Sequence, residues 1–149
     1  MGWRPYQQTR LAQEKAYLRQ YLPGFEFFNP LADTYVSGWW TSNLRRQYEI
    51  RVHLPESYPD APPDTYVSYP TPLLGYRSLR TIESWRTSHV MHTWESDRPG
   101  WTRICIVRPE HWSADFSIVK VLRKSMLWIT AYECHLDDGR MIREFLIDG

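Results

Sequence analysis

Two periods organise the apolar positions of the chain, and each predicts elements where it holds. Between residues 6 and 21, the positions Leu11, Ala12, Lys15, Leu18 and Leu22 recur at spacings of three and four among Gln, Arg and Glu, which predicts an amphipathic helix that Pro23-Gly24 stops. Phe25-Glu26-Phe27-Phe28 and residues 34–41 are rich in aromatic and β-branched side chains and are separated by Asn29-Pro30, so they read as two strands. Tyr48, Ile50, Val52 and Leu54 alternate with Glu49, Arg51 and His53, as in a sheet with one buried face, and His53 falls on the solvated side. Four prolines within residues 55–63 then predict a rigid extended crossing, because each fixes its own φ and restricts the residue before it. Thr65-Tyr66-Val67-Ser68-Tyr69 gives a fourth strand.

Residues 70–103 carry no sustained period and contain Pro72, Gly75, Pro99 and Gly100; so long an irregular segment in a folded domain points to function. After it, Ile118, Leu122, Met126, Ile129 and Tyr132 form a helical stripe that ends at Asp137-Asp138-Gly139, where glycine is the expected stop. The order predicts an α+β domain over residues 1–149: an N-terminal helix, a four-stranded antiparallel meander, an irregular loop with a cysteine, and a C-terminal helix.

Composition narrows the function. With 149 residues there is room for one core. The 18 Lys+Arg and 17 Asp+Glu are interspersed, leaving no basic stripe for a phosphate backbone, so nucleic acid is not the expected partner. Apolar runs of only a few residues exclude a membrane-spanning helix, and Met1-Gly2-Trp3-Arg4-Pro5 lacks a signal-peptide core, so a soluble, cytoplasmic protein is expected. Two cysteines make no disulfide framework, and in a reducing compartment both are thiols.

Cys105, in Ile104-Cys105-Ile106-Val107, has two readings: a small apolar residue in a short buried strand, or a surface nucleophile whose thiolate Arg103 and Arg108 stabilise. A protease-like arrangement would recruit His92 or His111, but no such signature surrounds Cys105. His89, His92, Cys105 and His111 contain an H-x2-H spacing that suits a tetrahedral ion, without the paired spacing expected in the second half of such a set. Cys134 reads as helix packing, and Trp39, Trp40, Trp112 and Trp128 read as core rather than as a stacking platform. No phosphate loop or catalytic carboxylate pair is present.

Taken in order, these motifs resemble those of ubiquitin-conjugating enzymes. Tyr48-Glu49-Ile50-Arg51-Val52-His53-Leu54-Pro55 followed by Tyr58-Pro59 and Pro62-Pro63 resembles the family's third strand and its Tyr-Pro…Pro-Pro tract. Ile104-Cys105-Ile106, His111-Trp112-Ser113 and Ile118-Val119-Lys120-Val121-Leu122 are similar to its Ile-Cys-Leu, Gln-Trp-Ser-Pro and Ile-Ser-Lys-Val-Leu, and the match spans residues 6–135. The family's His-Pro-Asn is missing; Met91-His92-Thr93-Trp94 stands near its place, and no asparagine follows His92. One short apolar piece, residues 141–147, stands where eukaryotic relatives carry two terminal helices, and the last long helix is Trp-bearing, both as in the prokaryotic branch found in bacterial antiviral operons such as CBASS.

The resemblance implies a ubiquitin-conjugating-enzyme-like fold and a transferase needing no cofactor or metal. In it, Cys105 carries as a thioester the C-terminal glycine of a protein partner, a cGAS-like nucleotidyltransferase, and passes it to an amine. His92 and Thr93 are the expected oxyanion donors. Asp97, Glu110 or His111 would orient the amine, and Trp112 would pack beneath the cysteine loop. Two alternatives stay open: a conjugating enzyme of a complete bacterial pathway with its own activating enzyme and ubiquitin-like protein, and a catalytically silent binding module of the same fold.

Overall fold

Pro5 sits at the first helical position, where its missing N–H costs nothing, and the Arg4 backbone N–H donates to Gln7 Oε1 at 2.9 Å, so α1 starts there and runs Pro5–Tyr21. The computed structural model describes residues 2–86 and 88–146. Next come β1 (Phe25–Phe28), β2 (Tyr35–Thr41), β3 (Gln47–His53) and β4 (Asp64–Tyr69), then two single-turn helices, α2 (Ile82–Trp85) and α3 (Ser88–Met91). Two short strands follow, β5 (Thr93–Trp94) and β6 (Thr102–Ile104), then a 3-10 turn at Pro109–His111, α4 (Ile118–Asp138) and a last 3-10 turn at Ile142–Phe145. Ile147, the end of the apolar piece noted above, lies outside the described residues.

The sheet has six antiparallel strands in the order β1-β2-β3-β4-β6-β5, so the four-strand expectation is corrected to six. The added pair lies inside residues 70–103. Strands of two and three residues are too short to display a period, so pattern reading passes over them. That segment is also anchored from within, because Leu73, Ile82 and Met91 are fully buried. Gly38 in β2 faces Phe25 in β1, and a Cβ there would lie 2.5 Å from that ring; only glycine lets the two strands close.

Val36, Ile50, Val52, Val67 and Ile104 line one face of the sheet, and α4 packs on it through Ile118, Val121, Leu122, Trp128 and Ile129. The Ser117 hydroxyl caps α4 by accepting from the Lys120 backbone N–H at 3.0 Å, and Gly139 closes it with φ +79°, as the sequence predicts.

The expected α1 stripe is only partly used. Leu18 is buried, but so are Gln7 and Glu14, whereas Ala12 and Lys15 are exposed. The buried polar groups are the connectors of the fold. Gln7 Nε2 donates to the carbonyls of Glu56 and Tyr58, both at 2.7 Å. Glu14 accepts from the Tyr58 hydroxyl, from Arg10 Nε at 3.1 Å and from the Ile118 backbone N–H at 3.1 Å, which joins α1, the proline-rich crossing and the start of α4.

Three further expectations change. Cys134 is exposed rather than packed, and Trp39 is 52% exposed, beside Tyr69. Trp128 is core, while Trp40 and Trp112 are partly buried against it. His53 is half-buried, stacked on Tyr35 and edge-on to Tyr66, with Arg51 Nε at 3.3 Å from Nε2 and Arg98 Nη2 at 3.4 Å from Nδ1. That desolvation, with the two arginine charges, pushes its pKa down to about 4.

Candidate active site

Cys105 follows directly on β6. Its backbone N–H donates to the His92 carbonyl at 2.8 Å, extending by one bond the ladder that pairs Thr93 with Ile104 and Trp94 with Arg103. The residue order alone does not announce this pairing, because the hairpin of residues 93–104 lies between His92 and Cys105. The corner ahead of His92 is fixed by α4, where Trp128 Nε1 donates to the Met91 carbonyl at 3.1 Å. His92 turns this corner with φ +51°, in the left-handed region that a non-glycine residue seldom occupies.

The thiol lies in a shallow open cleft. His92, Cys105 and Arg108 form one side; Lys124, Leu127 and Trp128 of α4 form the other. Leu127 is 61% exposed at the rim. The sequence reading missed the α4 wall, although Leu127 and Trp128 lie three and four residues after Lys124 and so share its side of the helix, Leu127 exposed at the rim and Trp128 buried behind it. Cys105 is half-buried, with Sγ 3.7 Å from the Val107 carbonyl, so the cysteine is neither sealed in the core nor fully open.

Burial raises the thiol pKa above its ordinary value; Arg108 first, then the Val107 contact and Arg103, pull it down without overcoming that desolvation, and Glu110 adds to the rise. The expected stabilisation by the two arginines is therefore outweighed. Arg103 is engaged elsewhere, at 2.7 Å from Asp64. His92 is shifted the other way: burial, then the charges of His89, Arg108 and Arg143, lower its pKa and hold the imidazole neutral at pH 7.

The other expected site residues separate. Thr93 is 3% exposed, faces Ile104 in the register, and does not line the cleft; its hydroxyl is buried without a hydrogen-bond partner. His92 is thus the member of the expected donor pair that reaches the cleft. Asp97 accepts from the Tyr66 hydroxyl at 2.6 Å, a bond that lowers its own pKa, and takes no part in the cleft wall. Glu110 and His111 are exposed on the 3-10 turn that follows the cysteine. Trp112 packs against Tyr58 and Phe116 and donates from Nε1 to the Pro59 carbonyl at 2.9 Å, fastening the turn after Cys105 to the proline-rich crossing. Among the described residues no three His, Cys, Asp or Glu side chains gather as a metal site, so His89, His92, Cys105 and His111 form no ligand set. No helix among them is long and apolar enough to cross a membrane.

Chemically, the cleft offers one soft nucleophile, a neutral imidazole beside it, and a rim that is cationic and apolar at once. No family model, curated protein or solved structure matches this chain.

Proposed function

We propose that the chain is a cysteine-dependent acyl carrier and transferase of the ubiquitin-conjugating type, with Cys105 as the acceptor of a protein's C-terminal glycine. The observation that carries the reading is the placement of Cys105 at the end of β6, bonded through its backbone to His92 and opening into a cleft. The ordered motifs around Cys105 and the α+β arrangement of helix, antiparallel sheet and helix support it.

In this reading the Cys105 thiolate attacks the carbonyl carbon of an activated C-terminal glycine, a thioester or acyl adenylate; the activating group leaves and a new thioester forms. A neutral amine of the acceptor then attacks the same carbon. The oxyanion receives a hydrogen bond from the neutral His92 ring, the C–S bond breaks to return the thiolate, and the amine's surplus proton passes to solvent. The donor protein is a cGAS-like nucleotidyltransferase of a bacterial anti-phage system, and the protein works in the cytoplasm. A ubiquitin-like protein delivered by a dedicated activating enzyme would use the same chemistry.

One observation favours a second reading, a silent binding module: burial raises the Cys105 pKa, which leaves little thiolate at neutral pH. A single experiment separates them. The protein is incubated with the nucleotidyltransferase and its activation partners and resolved on non-reducing gels. The transferase reading predicts a thiol-sensitive adduct with wild type, a thiol-resistant one with Cys105→Ser and none with Cys105→Ala. Absence of adduct from wild type, or its persistence in Cys105→Ala, overturns that reading.

A further inference from the structure

A second groove, of which His92 is not a wall, shares Ile106 and Val107 with the cysteine cleft. Its volume is about 210 Å³, against roughly 150 Å³ for an apolar cavity that takes up benzene, so it has room for one large side chain. The accessible walls are apolar: Trp94 is 40% exposed, Pro109 is exposed, and Pro62, Ile106 and Val107 are half-buried. Arg103 and Asp64, the charged residues of the wall, are paired with each other at 2.7 Å, so the groove offers apolar contact rather than charge. Two polar atoms of the same walls have no hydrogen-bond partner among the described residues: the Thr65 hydroxyl, on a residue 2% exposed, and Arg103 Nε. Buried polar atoms seldom stay unpaired, and a peptide backbone carries groups that pair with both. Val107 lies two residues from Cys105, at most ~7 Å along the chain, a length that a lysine side chain spans.

We propose that this groove is the acceptor subsite: it seats an aliphatic side chain next to the acceptor lysine, on a peptide segment of the acceptor, and so brings the lysine amine to Cys105. The inference rests on the reading of Cys105 as an acyl carrier and names the class of acceptor it serves. Two chains must meet at the sulfur. In that reading the donor's acyl oxygen lies beside His92 in the cysteine cleft, which leaves the second groove to the chain that brings the amine. Attack forms the C–N bond as the C–S bond breaks, and the amine's proton passes to solvent. Partial burial of a leucine side chain between Trp94 and Pro109 supports a preference of about tenfold over a serine in its place.

The test starts from wild type loaded with a glycine-terminated peptide thioester, the loading read by intact mass. Discharge to lysine peptides with Leu-Lys-Leu or Ser-Lys-Ser cores is then followed at increasing peptide concentration. The leucine peptide is expected to show about tenfold higher kcat/KM, with the difference in KM and kcat alike. Trp94→Ala should bring the leucine peptide down to the level of the serine peptide, and Trp94→Leu should keep most of the preference. Pro109→Asp, on the exposed turn, should lower it as well. A misfolded variant would lose discharge to both peptides rather than the ratio between them. Equal kcat/KM for the two peptides in wild type, or a preference that survives both Trp94→Ala and Pro109→Asp, overturns the inference. So does a Trp94→Ala protein that keeps the preference but loads more slowly, since the groove would then seat the donor. Loading followed by discharge without preference sinks this inference alone, whereas a wild type that never loads sinks the transferase reading and the acceptor subsite with it.

Discussion

Cys105 has cations nearby and yet a raised pKa, because the loss of solvent around the sulfur outweighs Arg108. With the thiol pKa raised above its ordinary value, little of it is thiolate at pH 7. The rate of alkylation by iodoacetamide should therefore keep rising with pH beyond 9 rather than level off below it. Arg108→Ala should slow the reaction at any fixed pH below the thiol pKa, since it removes the first influence that lowers that pKa; a plateau near pH 7 would contradict this. His92 makes a second residue-scale prediction. Its neutral ring and its left-handed backbone serve the same corner. His92→Ala should reduce acyl transfer by ~10²–10³. His92→Asn, which tolerates positive φ and supplies an amide donor, should retain more activity than His92→Ala. Single-turnover rates of thioester discharge to a lysine peptide measure both.

At the scale of elements, Glu14 joins three parts of the fold in one buried carboxylate. Glu14→Ala removes the counter-charge of Arg10, which keeps its bonds to the Ala114 and Phe116 carbonyls, takes away the partner of the Tyr58 hydroxyl and of the first N–H of α4, and should destabilise the protein by about 3 kcal/mol in urea unfolding. Tyr58→Phe removes only one partner and should cost about 1 kcal/mol. Glu14 also shows why α1 was only half legible in the sequence. A period of three and four located the helix, but periodicity counts apolar residues, and this helix turns Gln7 and Glu14 inward because hydrogen-bonding partners wait there. The four strands to Tyr69 and the stripe of α4 were readable because they are long enough to repeat. β5 and β6 were not, since strands of two and three residues are too short to repeat, and β6 joins the sheet through β4, far back along the chain.

Across the whole molecule, three histidines are held neutral by burial: His53 at about 4, and His92 and His135 below their ordinary value. His135 is fully buried, its Nε2 accepting from the Tyr76 backbone N–H at 3.0 Å and Nδ1 lying 2.7 Å from the Arg140 carbonyl, which together close the segment after β4 onto the end of α4. Because each folded pKa lies below the unfolded value of about 6.5, the unfolded chain takes up more protons as pH falls. Stability is therefore complete above pH 6.5 and declines from there toward pH 4, before the lowered carboxylates Asp97 and Asp138 begin to titrate. The urea midpoint should drop between pH 7 and 4.5, and the drop should be smaller in His53→Gln. Of the candidate site, motif order singled out Cys105 and His92, which line one cleft, whereas Thr93 is turned inward by its register opposite Ile104 and the α4 wall enters only through packing. The most direct measurement of the central claim is the intact mass of the protein after exposure to a glycine-terminated peptide thioester. The account predicts a gain equal to the peptide acyl group, mapped to Cys105 and reversed by dithiothreitol; an unchanged mass, or an acyl group found on Cys134 instead, would contradict it.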